Sequence, residues 1–111
     1  MSDLPPAGTV LGRLEDLPEL GARASAWNEG AVFMVRRGKD VTAWLNICPH
    51  AQRPLTLPGG KVMLHEGRFI VCPVHGASFA LPSGACVGGP AAGYGLTAVK
   101  VEVVGGEVRA V

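Results

Sequence analysis

Two short stretches of the chain hold the residue types best suited to bind a metal. Cys48 and His50 are separated by one residue, and Cys72 and His75 are separated by two. Thiolates and imidazoles in this number suit a tetrahedral zinc ion, or a [2Fe-2S] cluster with both cysteines on one iron and both histidines on the other. The ligand types and their spacing therefore predict a metal site and leave the metal itself open.

The residues around these pairs favour the iron–sulfur interpretation. Each cysteine is followed by proline, Gly76 follows the second histidine, and a third loop rich in glycine comes downstream. A zinc site needs none of these. With these features the chain resembles the Rieske family, and the resemblance covers about residues 44–90 and extends more weakly toward both termini. The motifs that carry it are C-P-H at 48–50, C-P-V-H-G-A-S-F at 72–79, the S-G turn at 83–84 and the G-G-P loop at 88–90.

The resemblance implies one [2Fe-2S] cluster, with Cys48 and Cys72 on the inner iron and His50 and His75 on the outer, solvent-facing iron. Two ferric ions, two sulfides, two thiolates and two neutral imidazoles sum to zero charge, whereas four thiolates would give minus two. A less negative cluster accepts an electron more readily, so Rieske centres lie at about −150 to +300 mV and plant-type ferredoxins near about −400 mV. We therefore expect a one-electron carrier of moderate potential.

Local departures from the family pattern point to the lower part of that range. Arg53 and Val74 stand where respiratory members carry a pair of disulfide-forming cysteines, and Ala77 and Phe79 stand where those members place hydroxyl groups near the cluster sulfurs. Hydrogen bonds to sulfur stabilise the reduced cluster, so their loss lowers the potential. Arg53 itself is either a solvated loop residue or a functional one, whose positive charge favours the reduced cluster or contacts an acidic patch on a partner.

The implied function is that of a ferredoxin, similar to the ferredoxin components of bacterial ring-hydroxylating dioxygenase systems. Such a protein takes an electron from a flavin-containing reductase and passes it to a terminal oxygenase or another oxidoreductase, docking transiently near His50 and His75. No catalytic residue is expected, because His65 alone cannot supply the two histidines of a mononuclear iron site. The alternatives are a small subunit of a nitrite-reductase-like enzyme, a redox sensor and a zinc-binding structural module.

Composition and charge limit the number of domains, the kinds of partner and the cellular setting that we expect. The 111 residues predict a single domain, 1–111, and a net charge of +1 without a basic run gives no reason to expect nucleic acid or a membrane as partner. No segment resembles a signal peptide or a membrane span. Cys86 is left over from the ligand set, so we expect a reducing, cytoplasmic setting in which it is a small buried residue, with a third cluster ligand or a redox sensor as alternatives.

The elements that must position the ligands read as short strands. Glycine (16) and proline (9) are abundant, which favours tight turns between strands. Hairpins are predicted from 31–35 to 41–45, from 62–64 to 68–71 and from 96–104 to 108–111, with strands at 9–14 and 22–27 and a turn at 57–61. The predicted fold is all-β: a small antiparallel sandwich or barrel base with an inserted cluster-binding subdomain of hairpin loops, about 46–91.

The 21 residues between His50 and Cys72 are more than most family members have, and the extra length falls in the turn at 57–61 and the hairpin from 62–64 to 68–71.

Overall fold

The computed structural model describes residues 4–49, 53–57, 59–74, 76–81, 83–89 and 95–111, and within them the chain forms three antiparallel sheets. The strands are β1 (Val10–Arg13), β2 (Leu20–Ala24), β3 (Val32–Arg37), β4 (Asp40–Leu45), β5 (Met63–His65), β6 (Phe69–Val71), β7 (Ser78–Ala80), β8 (Cys86–Gly88), β9 (Ala98–Val99), β10 (Val101–Val104) and β11 (Glu107–Ala110). Single 3-10 turns lie at Leu14–Asp16 and Trp27–Glu29. The predicted all-β class is confirmed. None of the described helical segments has the length and apolar character needed to cross a membrane.

The middle sheet, in the order β2-β3-β4-β9, is buried on both faces. Val32 to Val35 on β3 are all buried, with Phe33 and Val35 in one apolar cluster and Val32 and Met34 in another. Because side chains alternate along a strand, these two clusters lie on opposite faces of the sheet. A continuous apolar run in this strand therefore reflects burial on both sides.

The other two sheets cover those faces. The sheet β1-β11-β10 packs Leu11 and Val108 against one face, and the sheet β5-β6-β7-β8 packs Ile70 and Phe79 against the other. Strands β5 to β8 lie in sequence between β4 and β9, which are neighbours in the middle sheet. The hairpin region is thus an insertion into the sandwich, as predicted.

Glycines at two-residue turns fix the register of two predicted hairpins. Arg37 pairs with Asp40 across Gly38 and Lys39, and Val104 pairs with Glu107 across Gly105 and Gly106. Gly105 and Gly106 have φ of +56° and +80°, the backbone that a type I′ turn demands at both central positions. The predicted turn at 57–61 is also present among its described residues, with the Gly60 N–H bonded to the Leu57 carbonyl.

The strand predicted at 22–27 was misplaced. It runs from Leu20 to Ala24 instead, and Trp27 begins a 3-10 turn. Ala26 has φ and ψ of −79° and −13°, in the helical region, and Asn28, Glu29 and Gly30 have positive φ, so the chain leaves the extended conformation before Trp27. Strands β7 and β8 were not predicted, because they are three residues long and lie among glycine-rich loops.

Candidate metal centre

The first predicted ligand pair lies in the loop that leaves β4, residues 46–55, here called the first cysteine loop. Cys48 is fully buried, and its backbone N–H donates to the Arg53 carbonyl at 2.8 Å. Arg53 itself is exposed. The loop therefore turns back on itself within five residues and keeps its cysteine on the protein side.

The second predicted pair lies between β6 and β7, in residues 72–77, the second cysteine loop. Cys72 is 1% exposed, its N–H donates to the Ala77 carbonyl at 2.8 Å, and its carbonyl accepts from the Gly76 N–H at 3.0 Å. Both cysteines thus bond to the carbonyl five residues ahead. Gly76 has a φ of +76°, a conformation that glycine adopts without steric cost.

The fold brings the two cysteines into one apolar cluster. Cys48 and Cys72 share it with Leu55, Ala77 and Phe79, each at most 1% exposed. His50 and His75 lie outside the described residues. Among the residues that the structure does describe, no three or more metal-binding side chains come together. What the structure shows of the predicted ligand set is therefore two cysteines at the inner ends of two loops, facing the same core.

This environment fits an iron–sulfur cluster. Thiolate sulfur is the ligand that holds such clusters, and an apolar surrounding limits the access of water to them. The outer part of the second cysteine loop faces solvent, since Val74 is 41% exposed and Gly76 is exposed as well. Exposure to solvent therefore increases from the cysteine end of this loop to its apex.

A third loop, residues 83–89, rests against the second cysteine loop and is here called the glycine loop. A Cβ added to Gly89 would lie 2.8 Å from Ala77 Cα and 3.1 Å from the Gly76 carbonyl oxygen. One added to Gly84 would lie 2.6 Å from the ring of Trp44. Glycine at these two positions lets the backbone touch the second cysteine loop on one side and the middle sheet on the other.

Asn46 is a residue that the sequence analysis did not single out. Its Nδ2 donates to the Gly30 carbonyl at 2.8 Å and to Thr56 Oγ1 at 3.1 Å, while its Oδ1 accepts from the Leu55 N–H at 2.8 Å. These bonds join the start of the first cysteine loop to its end. The available signal was an asparagine directly after a strand, a residue type whose side chain often bonds to nearby backbone.

Cys86 lies on β8, beside the same apolar cluster. It forms no disulfide, is only partly buried, and its thiol donates to the Gly88 carbonyl at 3.2 Å. The prediction of a small buried residue is confirmed only in part, because Cys86 packs against the apolar cluster but is partly exposed.

Charge is sparse around the two cysteine loops. Between Val41 and Val99 the acidic and basic residues are Arg53, Lys61, Glu66 and Arg68, and of these only Arg53 belongs to a cysteine loop. Glu66 and Arg68 lie at the β5–β6 turn. The segment that contains both cysteine loops thus carries few charged residues, three basic and one acidic.

Comparison with known proteins identifies this class of site. The family described as the Rieske [2Fe-2S] domain matches residues 9–103, and the chain belongs to this family. Its cofactor is accordingly a [2Fe-2S] cluster, and the zinc alternative is not supported. The protein is of the electron-carrier kind.

Solved structures that resemble the chain include small proteins of similar size. The ferredoxin of carbazole 1,9a-dioxygenase from Nocardioides aromaticivorans IC177 is 27% identical, with 94% of this chain and 96% of that one covered and a TM-score of 0.78. A complex of reduced oxygenase and oxidised ferredoxin in carbazole 1,9a-dioxygenase contains a chain 24% identical, with coverage of 96% and 94% and a TM-score of 0.70. The E. coli protein NirD is 19% identical, with coverage of 93% and 94% and a TM-score of 0.68. No curated protein sequence matches the chain.

Proposed function

We propose that this protein carries one electron from a flavin-containing reductase to a terminal oxygenase or another oxidoreductase, with Cys48, His50, Cys72 and His75 as the cluster ligands. The observation that carries the proposal is the burial of both cysteines in one apolar cluster at the inner ends of two loops. The 27% identical ferredoxin of a dioxygenase system supports the choice of partners. The cluster, when bound, supplies the capacity to accept and release one electron.

The residues of the chain have distinct tasks in this proposal. The cysteine sulfurs hold the inner iron away from water, while the histidines face the partner. Ala77 and Phe79 line the same core without a hydroxyl group, so they offer no hydrogen bond from an O–H to the sulfurs. We infer a potential in the lower part of the Rieske range. No residue of the chain acts as a catalyst in this scheme.

The proposed docking surface lies near His50 and His75. Val74, which directly precedes His75 in the chain, is 41% exposed. Apolar side chains and few charges suit a contact that forms and breaks quickly, and transient redox complexes bury less than about 1,200 Å². Electron transfer requires that the cluster and the redox centre of the partner come close together, and it does not require tight binding.

Replacing each cysteine in turn tests the ligand assignment. Cys48→Ser and Cys72→Ser should abolish the Rieske-type EPR signal of the reduced protein and its visible absorption, with iron below two atoms per chain. Cys86→Ser is the matched control, since Cys86 packs against the same cluster of residues and is not a proposed ligand. A Cys86→Ser protein without the signal, or a Cys72→Ser protein with it, would contradict the assignment.

A second candidate function is a small subunit of a nitrite-reductase-like enzyme, because the E. coli protein NirD shares this fold. The two functions predict different behaviour toward partners. A carrier passes electrons over many turnovers to an oxygenase with which it does not co-purify, whereas a subunit stays in a fixed ratio with its large subunit through gel filtration. A redox sensor would instead change its affinity for a regulator when the cluster is reduced.

We also propose that residues 1–111 act as a single domain in the cytoplasm. The partly exposed, unpaired thiol of Cys86 supports this setting, since free thiols persist where the medium is reducing. Thiol titration of the protein in intact cells, followed by mass spectrometry of Cys86, tests the location. A Cys86 found oxidised there would argue against it.

A further inference from the structure

We propose that Asn46 is a positioning residue that closes the first cysteine loop and thereby controls how firmly the cluster is held and at what potential it works. This role rests on the proposed ligation of the cluster by Cys48 and is independent of which proteins exchange electrons with the cluster.

The side chain of Asn46 makes hydrogen bonds through both of its polar atoms. Nδ2 donates to the Gly30 carbonyl and to Thr56 Oγ1, and Oδ1 accepts from the Leu55 N–H. The Asn46 backbone N–H donates to the Ala31 carbonyl at 2.8 Å, which fixes the main chain at the same point. Asparagine supplies an acceptor and two donors on one short planar group, and the three side-chain bonds use all of these.

These bonds make a closed ring of the loop. Asn46 stands at its start, while Leu55 and Thr56 stand at its end, nine and ten residues later. Inside this ring, the Cys48 N–H bonds to the Arg53 carbonyl. The side-chain bonds of Asn46 hold the two ends of the loop together, and the bond from Cys48 to Arg53 lies between those ends. The alignment of the Cys48–Arg53 bond therefore depends on the bonds of Asn46.

The second cysteine loop shows why the first loop needs such a side chain. Its two ends are the paired strands β6 and β7, with Val71 opposite Ser78, so a β-ladder holds them together. The described residues at the two ends of the first cysteine loop do not pair with each other as strands: Leu45, before the loop, pairs with Val32, and Thr56, after it, forms an isolated bridge to Val62. The side chain of Asn46 therefore holds the ends of the first cysteine loop together, as the pairing of β6 with β7 does for the second cysteine loop.

Leu55 connects this closure to the metal centre. Its side chain is fully buried in the same apolar cluster as Cys48 and Cys72, and its N–H is the group that Asn46 Oδ1 accepts from. If the Leu55 N–H loses its bond to Asn46, the Leu55 side chain is held less firmly in the apolar cluster that surrounds both cysteines. A partly buried amide without a partner also favours loop conformations that bring it to water.

Two substitutions separate the contributions of the side chain. Asn46→Ala removes all three side-chain bonds. Asn46→Asp keeps an oxygen for the Leu55 N–H but replaces the donor to Gly30 with a second oxygen. We expect cluster release to be about tenfold faster or more in Asn46→Ala, and intermediate in Asn46→Asp. The midpoint potential should rise in Asn46→Ala, because water admitted to the loop stabilises the more negative reduced state.

Arg36→Met is the matched control. Arg36 Nη1 donates to the carbonyls of Leu14 and Leu17, so this side chain also ties two segments together through backbone carbonyls, at a distance from both cysteine loops. The three variants and the parent protein are compared as holoproteins. Cluster release is followed by loss of visible absorption in the presence of an iron chelator, well below each unfolding temperature. Midpoints come from redox titration, and amide protection of the peptides with Cys48 and Leu55 comes from hydrogen exchange.

The results expected are faster release, a raised midpoint and lost Leu55 protection in Asn46→Ala, with Leu55 protection retained in Asn46→Asp. Arg36→Met should lower the unfolding temperature and leave release and midpoint as in the parent. Parent-like release and midpoint in Asn46→Ala would overturn the proposal, and so would equal acceleration in Arg36→Met. If Asn46→Ala does not fold, Asn46→Asp decides: release and midpoint identical to those of the parent would then refute the positioning role.

Discussion

The contact between the glycine loop and the second cysteine loop can be tested by adding one methyl group at Gly89. Gly89 has a φ of +81°, and its added Cβ would lie 2.8 Å from Ala77 Cα and 3.1 Å from Ala77 N. The obstacles are backbone atoms, which cannot rotate away as a side-chain end does. Gly89→Ala must therefore push the two loops apart or strain them.

The expected cost has two parts. A residue with a Cβ at such a φ costs roughly 1–2 kcal/mol, and forcing an additional methyl into a packed contact costs typically about 1–3 kcal/mol. Gly8→Ala isolates the first part, because Gly8 has a φ of +89°, is also exposed, and an added Cβ there would meet nothing within 4 Å. At about 4–8 °C per kcal/mol for a small domain, Gly89→Ala should unfold at least about 5 °C below Gly8→Ala.

The assay is thermal unfolding of the parent protein, Gly89→Ala and Gly8→Ala, each with its cluster bound. Far-UV circular dichroism monitors the strands, and visible absorption monitors the cluster in parallel. In Gly89→Ala the visible signal should be lost before the strands unfold, since the damage lies beside Cys72. In Gly8→Ala the two signals should disappear together. Equal unfolding temperatures for the two variants would refute the view that the glycine loop presses on the second cysteine loop.

Three further predictions concern the potential and the partners. His75→Cys should lower the midpoint in a redox titration, because a thiolate adds negative charge to the cluster, and an unchanged midpoint would remove His75 from the ligand set. Phe79→Tyr should raise the midpoint by about 40 mV, the equivalent of about 1 kcal/mol for one hydrogen bond and one electron, if the new hydroxyl reaches a cluster sulfur; a fall would contradict the account of the low potential. The rate of reduction by a flavin-containing reductase, measured by stopped flow, should change less than about threefold between low and high salt, because Arg53 is the one charged residue of the two cysteine loops. A steep fall with salt would show that charges elsewhere on the surface guide docking.

Much of the fold could be predicted because it is encoded locally. The β3–β4 and β10–β11 hairpins follow from alternating or continuous apolar runs on either side of glycine turns, and neighbouring residues are sufficient to recognise them. The cysteine–histidine pairs are likewise local, since each pair lies within four residues and the sequence alone is sufficient to recognise it as a pair of ligands. Local patterns failed at residues 25–27, where strand β2 has already ended and Ala26 adopts a helical backbone before the 3-10 turn that begins at Trp27.

What the sequence by itself determined is the chemistry: the two ligand pairs, the class of cofactor they suit, and the missing hydroxyl groups at Ala77 and Phe79. Only the tertiary structure decided how the loops are closed and pressed together. The bonds of Asn46 reach back to Gly30 and forward to Leu55, and Gly89 owes its importance to a backbone 12 residues earlier in the chain, at Ala77. Contacts between residues far apart in sequence leave no periodic or short-range pattern to read, because each depends on how three sheets stack.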